Sequence, residues 1–98
     1  MPVIRWAPAA ADDLEHIHDF ISADSVNYAD LFVADVLELI AKLSQFPRLG
    51  RIVPEVDSPQ IRELIKGNYR IVYSFEEDLV MILTIHHGAR ILHPKKLS

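Results

Sequence analysis

The chain has 98 residues, half of them hydrophobic, a net charge of −4 and no cysteine. This length suits one domain, residues 1–98, built around one hydrophobic core. The absence of cysteine excludes disulfides and thiol catalysis and points to a reducing, cytoplasmic setting. No window reaches the roughly 18 apolar residues needed to cross a bilayer, and the start MPVIRWAPAAADDLEHI lacks the basic opening and apolar run of a signal peptide.

VIRW, residues 3–6, alternates like a short strand. Pro8 sits where a helix can begin, because the first turn needs no N–H there. From Ala9 to about Ala23 the apolar positions Leu14, Ile17, Phe20 and Ile21 have helical spacing. Asp12, Asp13 and Glu15 favour the positive N-terminal end of that helix. The SADSVN segment breaks the pattern and offers Ser25 or Asn27 as a cap. A second helix is expected from about Asn27 to Gln45, with Leu31, Phe32, Leu39, Ile40 and Leu43 on one face and Tyr28 and Val36 joining it. Pro47 and Gly50 close it. The short connection makes the two helices an antiparallel hairpin.

GRIVPEVDSPQ carries two prolines and reads as a loop with at most one short edge strand. IRELIK, residues 61–66, alternates as a strand, and Gly67-Asn68 supplies the turn. YRIVYSF, residues 69–75, is β-branched and aromatic, Glu76-Glu77-Asp78 is a polar turn, and LVMILTIHH, residues 79–87, is the nearly continuous apolar run of a strand covered on both faces. Gly88 ends it, and Ile91 to Ser98 form a tail. One strand, two helices and an antiparallel meander of three or four strands make an α+β domain. The helices are expected to cover one sheet face and leave the other as the broad surface for a partner.

Charge is unevenly placed. Residues 1–47 hold two cations against eight anions, a net −6, and residues 48–98 hold eight cations against six anions, a net +2. The second half therefore suits an anion or an acidic partner, or is simply an ordinary mixed surface beside acidic helices. The five histidines form no metal motif. His16 and His18 lie about 200° apart around a helix, and His86 and His87 point to opposite faces of a strand. There is no GxSxG and no glycine-rich phosphate loop. No metal, cofactor or small-molecule ligand is expected.

The cationic hairpin is more informative. Arg62 and Arg70 lie on adjacent strands and are expected on the same side of the sheet, with His86 or His87 and Arg90 nearby. Arginines with a histidine can grip a phosphate, stabilise developing charge and move a proton. The plainer alternative pairs these arginines with Glu63, Glu76 or Glu77, or leaves them solvated. Trp6, Tyr69 and Tyr73 are either base-stacking aromatics or core.

W-x-P-x-A-x-x-D-L-x-x-I from Trp6, then FPRLGR, RELIKGNYRIVYSF and ILTIHHGAR, in this order, resemble the RelE/ParE superfamily of bacterial toxins, the toxin halves of type II toxin–antitoxin pairs. The likeness runs from Trp6 to Arg90. It implies a helical hairpin packed on an antiparallel sheet, and growth arrest in the absence of a cognate antitoxin. That antitoxin would wrap the toxin with a helix and an extended segment that folds on binding.

The superfamily divides. ParE-like members inhibit DNA gyrase without an active site and serve in plasmid stabilisation. RELIKGNYRIVY and IHHGAR look closer to these, which makes Arg70, Arg90, Lys95 and Lys96 the candidate target contacts. RelE-like members resemble ribosome-dependent endoribonucleases of messenger RNA. On that alternative Arg70 would contact the scissile phosphate, His87 would act as acid and Arg62 would add charge. The sparse lysines and the missing aromatic after HHGARIL speak against it. A further alternative is a non-toxic antitoxin-binding module of the same fold.

Overall fold

The structure, a computed structural model, describes residues 1–88. Strand β1 (Val3–Trp6) leads into helix α1 (Pro8–Ser22), helix α2 (Val26–Ala41) and a 3₁₀ turn (Lys42–Ser44). Strands β2 (Arg51–Ile52), β3 (Ile61–Lys66), β4 (Tyr69–Glu76) and β5 (Leu79–His87) follow. The five strands form one sheet in the order β1-β5-β4-β3-β2. The last four are antiparallel, as expected, but β1 runs parallel to β5 (Val3 opposite Leu79, Trp6 opposite Ile82), so the sheet is mixed. A parallel neighbour needs a long connection, and here the helical hairpin and strands β2 to β4 all lie between β1 and β5.

Local chemistry sets the helix boundaries. Pro8 opens α1 behind an extended Ala7, as the residue before proline prefers. Ser25, rather than Asn27, caps α2, accepting a hydrogen bond from the Tyr28 N–H at 3.1 Å. α2 stops at Ala41, short of Gln45, because the last turn tightens to 3₁₀.

The main core lies between the helices and one sheet face. Ala10 of α1, then Phe32, Val36, Ile40 and Leu43 from the second helical segment, pack on Leu64, Ile71, Tyr73, Val80, Ile82 and Ile85. Leu14, Ile17 and Ile21 pack at its margin. Phe20, Tyr28 and Leu31 do not join it: they are 74%, 63% and 62% exposed. The stripe at 29, 32, 36, 40 and 43 is the one that faces the sheet, and the Tyr28–Leu31 stripe lies beside it.

The opposite sheet face is not left open. Val53 and Val56 fold over it and form a second small cluster with Val72, Ile61 and Leu83. A bulge between Val72 and Tyr73, paired with Thr84 and Ile82 respectively, makes Leu83 the extra residue of β5. Past Trp6, no strand among the described residues lies on the outer edge of β5, and α1 takes over: Asp13 accepts hydrogen bonds from the Ile85 N–H (3.0 Å) and the Thr84 hydroxyl (2.7 Å). A side chain here satisfies a backbone donor that a neighbouring strand would otherwise pair.

Candidate functional site

The two-residue turn at Gly67-Asn68, with Gly67 at φ 58°, sets the register of the β3–β4 hairpin: Lys66 opposite Tyr69, Ile65 opposite Arg70 and Arg62 opposite Tyr73. Directly opposed residues share a face. Arg62 therefore lies on the helix side with Tyr73, and Arg70 lies on the far side with Glu63 and Ile65. This corrects the expectation that the two arginines share a face. The intervening step from Arg70 to Tyr73 is odd, and strand side chains alternate.

Arg70 is 6% exposed and sits among carboxylates. Its Nε donates to Glu63 Oε1 at 2.5 Å, and Nη1 and Nη2 donate to the two carboxylate oxygens of Glu55 at 2.6 and 2.9 Å. Glu63, whose side chain is fully buried, also accepts from Arg51 Nε at 2.6 Å. The result is an alternating chain, Arg51–Glu63–Arg70–Glu55, across the far face of the sheet. The hydrogen bonds that Arg70 donates to Glu55, and after them the one to Glu63, outweigh burial and push the Arg70 pKa further above its already high ordinary value. The forked Arg70–Glu55 contact is the strong bidentate kind. Sequence reading anticipated Glu63 as a partner of Arg70 but missed Glu55, which lies in the loop and has no periodic pattern to reveal its position.

Arg62 is held differently. Its Nε donates to the Pro59 carbonyl at 3.1 Å and its Nη1 to the Gly50 carbonyl at 3.0 Å. Its guanidinium lies 5.6 Å from the centre of the Phe75 ring, and that of Arg48 lies 5.7 Å from the same centre. The FPRLGR segment is stitched to the sheet at this point. The Tyr73 hydroxyl accepts from the Gly50 N–H at 2.9 Å and donates to the Pro47 carbonyl at 2.7 Å. Burial raises the Tyr73 pKa, so the phenol stays neutral and keeps both bonds. Gly50 is required by contact: a Cβ there would come within 2.6 Å of the Glu63 carbonyl oxygen and 2.8 Å of the Tyr73 ring.

His86 and His87 fall on opposite faces, opposite Arg70 and Tyr69 respectively. His87 packs edge-on against Tyr69, which packs edge-on against Phe32. His86 Nδ1 lies 2.9 Å from the His87 carbonyl, which can only accept, so this nitrogen carries the proton. At the end of the hairpin, Arg51, Glu55, Asn68, Tyr69, Arg70 and His87 line a cleft of about 270 Å³. Arg70 and His87 thus meet at one cleft from opposite faces, and Arg62 is not part of it. Tyr73 is fully buried and Trp6 half-buried against the core. Arg90, Lys95 and Lys96 lie outside the described residues. Among the described residues, no group of three or more His, Asp or Glu side chains is placed to hold a metal ion. No described helix is long and apolar enough to cross a membrane.

A second concavity lies along the helical hairpin. Trp6, Ala11, Leu14, Val33 and Leu37, with Glu15 and His18, line an apolar groove of about 400 Å³. His18 ties α1 to α2 beside it, with Nε2 at 2.8 Å from Asp30 Oδ1. Its pKa is raised, chiefly by the bond to Asp30, with Asp19 adding to the effect.

Comparison with known proteins agrees with this architecture. In solved structures, the fold is similar to a chain of the chromosomal ParDE toxin–antitoxin system of P. aeruginosa (TM-score 0.73, 24% identity, covering 89% of this chain and 96% of that one). It is also similar to a chain of the RelBE2 toxin–antitoxin complex of Mycobacterium tuberculosis (TM-score 0.62, 24% identity, 89% and 99% covered). No curated protein matches. Residues 4–92 match the family described as the ParE toxin of the type II toxin–antitoxin system parDE, and the chain belongs to that family.

Proposed function

We propose that this toxin arrests growth in the cytoplasm by binding DNA gyrase, without an active site of its own, and that a cognate antitoxin neutralises it. The observation that carries this reading is the pairing of Arg70 with Glu63 and Glu55. An arginine whose charge is already met by two carboxylates is poorly placed to grip a scissile phosphate. Arg62, on the other face, does not reinforce it. Arg90, Lys95 and Lys96 are then the proposed target contacts, and Arg70 joins them only where Glu55 is drawn away. The apolar groove of the helical hairpin, set in the half of the chain with net charge −6, suits an apolar antitoxin segment flanked by basic residues.

One observation favours the alternative, a ribosome-dependent messenger RNA endoribonuclease: Arg70, Tyr69 and His87 line the same cleft. On that reading Arg70 contacts phosphate and His87 acts as acid. The two readings separate on induction of the chain alone in a bacterial host, with growth and a DNA-damage reporter followed together. Arrest with reporter induction supports gyrase. Arrest with a silent reporter supports the ribosome and moves attention to Arg70 and His87.

A further inference from the structure

We infer that the surface built by Phe46, Arg48, Leu49, Arg62 and Phe75 is a docking site for an acidic, apolar segment of the toxin's protein target. Arg48 and Arg62 both lie within 6 Å of the Phe75 ring centre. Neither has a carboxylate at ion-pairing distance among the described residues, whereas Arg51, Lys66 and Arg70 all do. Arg62 is also fixed in place by two backbone carbonyls, so its charge is oriented before any partner arrives. Phe46 and Leu49 flank Arg48 in the sequence, 59% and 49% exposed, on a turn that is itself pinned by the Tyr73 hydroxyl. An acidic protein that holds two arginines with no carboxylate at ion-pairing distance among the described residues, on a hydrogen-bonded turn that carries exposed apolar side chains, presents a site for carboxylates with an apolar anchor.

A nucleic acid fits less well. Two cations neutralise few phosphates, and the helical half of the chain, net −6, repels a polyanion. The apolar groove of the helical hairpin, in that acidic half, suits a basic segment. Two surfaces of opposite character therefore serve two different partners, and this assignment rests on the reading of the groove as the antitoxin's.

Arg48→Glu tests the site, because Arg48 is exposed and holds no fold-bearing hydrogen bond in the described structure. A fluorescein-labelled peptide of Asp and Glu around one Phe and one Leu is titrated against the purified chain, with a labelled oligouridine of equal charge in parallel. The peptide should bind and weaken as salt rises, and Arg48→Glu should lose about tenfold or more in affinity with an unchanged thermal melt. In cells the same variant should lose growth arrest while still co-purifying with the cognate antitoxin. The inference is overturned if the peptide does not bind, if Arg48→Glu binds it equally, if the oligouridine binds more tightly at this surface, or if Arg48→Glu still arrests growth. A wild-type chain that fails to arrest growth refutes the toxin reading instead, and the peptide titration then decides the surface by itself.

Discussion

Glu63 holds two arginines at once from a fully buried position, and this makes it the residue on which the far sheet face depends. Breaking a buried ion pair strands the remaining charge away from water. Glu63→Gln should therefore cost about 3 kcal/mol in denaturant unfolding, while Arg51→Ala, with its exposed guanidinium, should cost under about 1 kcal/mol. Tyr73→Phe removes the hydroxyl that satisfies both the Gly50 N–H and the Pro47 carbonyl and should cost about 2 kcal/mol by the same measurement. The placement of Arg62 and Arg70 was legible in principle. A two-residue turn between Lys66 and Tyr69 dictates which residues oppose each other, and parity then separates the two arginines. The role of Glu55 was not legible, because it depends on how a loop of irregular sequence folds back over the sheet.

At the scale of elements, the helical hairpin and the meander follow from periodicity, but the choice of buried stripe does not. α2 carries apolar residues on two adjacent stripes, and only packing on the sheet decides that Phe32 and Val36 go in while Tyr28 and Leu31 stay out. The two helices are also tied by a titratable contact. The raised pKa of His18 means that its protonated form favours the folded state through Asp30 and Asp19. That contribution is complete below the ordinary histidine value and is lost as pH rises through the raised one. The melting temperature of the wild type should thus fall as pH rises above the ordinary histidine value of about 6.5, and His18→Gln should flatten this dependence in the same scans. The bulge at Leu83 and the role of Asp13 left no mark in the sequence. The bulge belongs to the β4–β5 register and Asp13 acts just past the end of β1 alongside β5, facts of three-dimensional pairing rather than of local pattern.

For the whole molecule, the uneven charge visible in the sequence becomes two surfaces: an apolar groove in acidic surroundings and a cationic, aromatic platform on the sheet. On the proposed reading the two separate neutralisation from toxicity. Leu37→Lys, at a groove position 48% exposed, should weaken binding of the cognate antitoxin by about tenfold to a hundredfold in a titration, with growth arrest retained. Equal antitoxin affinity in the variant would remove the groove from the interface.

The parallel pairing of the first strand with the last has a consequence for synthesis. As the chain leaves the ribosome, VIRW has nothing to pair with until LVMILTIHH has followed it out. The helical hairpin can form early from local contacts, yet the sheet on which it packs cannot close until β5 has been made. On the proposed reading, a fold ordered in this way reaches its toxic form only after LVMILTIHH has emerged. On that reading, an antitoxin already present can meet the emerging chain before its sheet has closed.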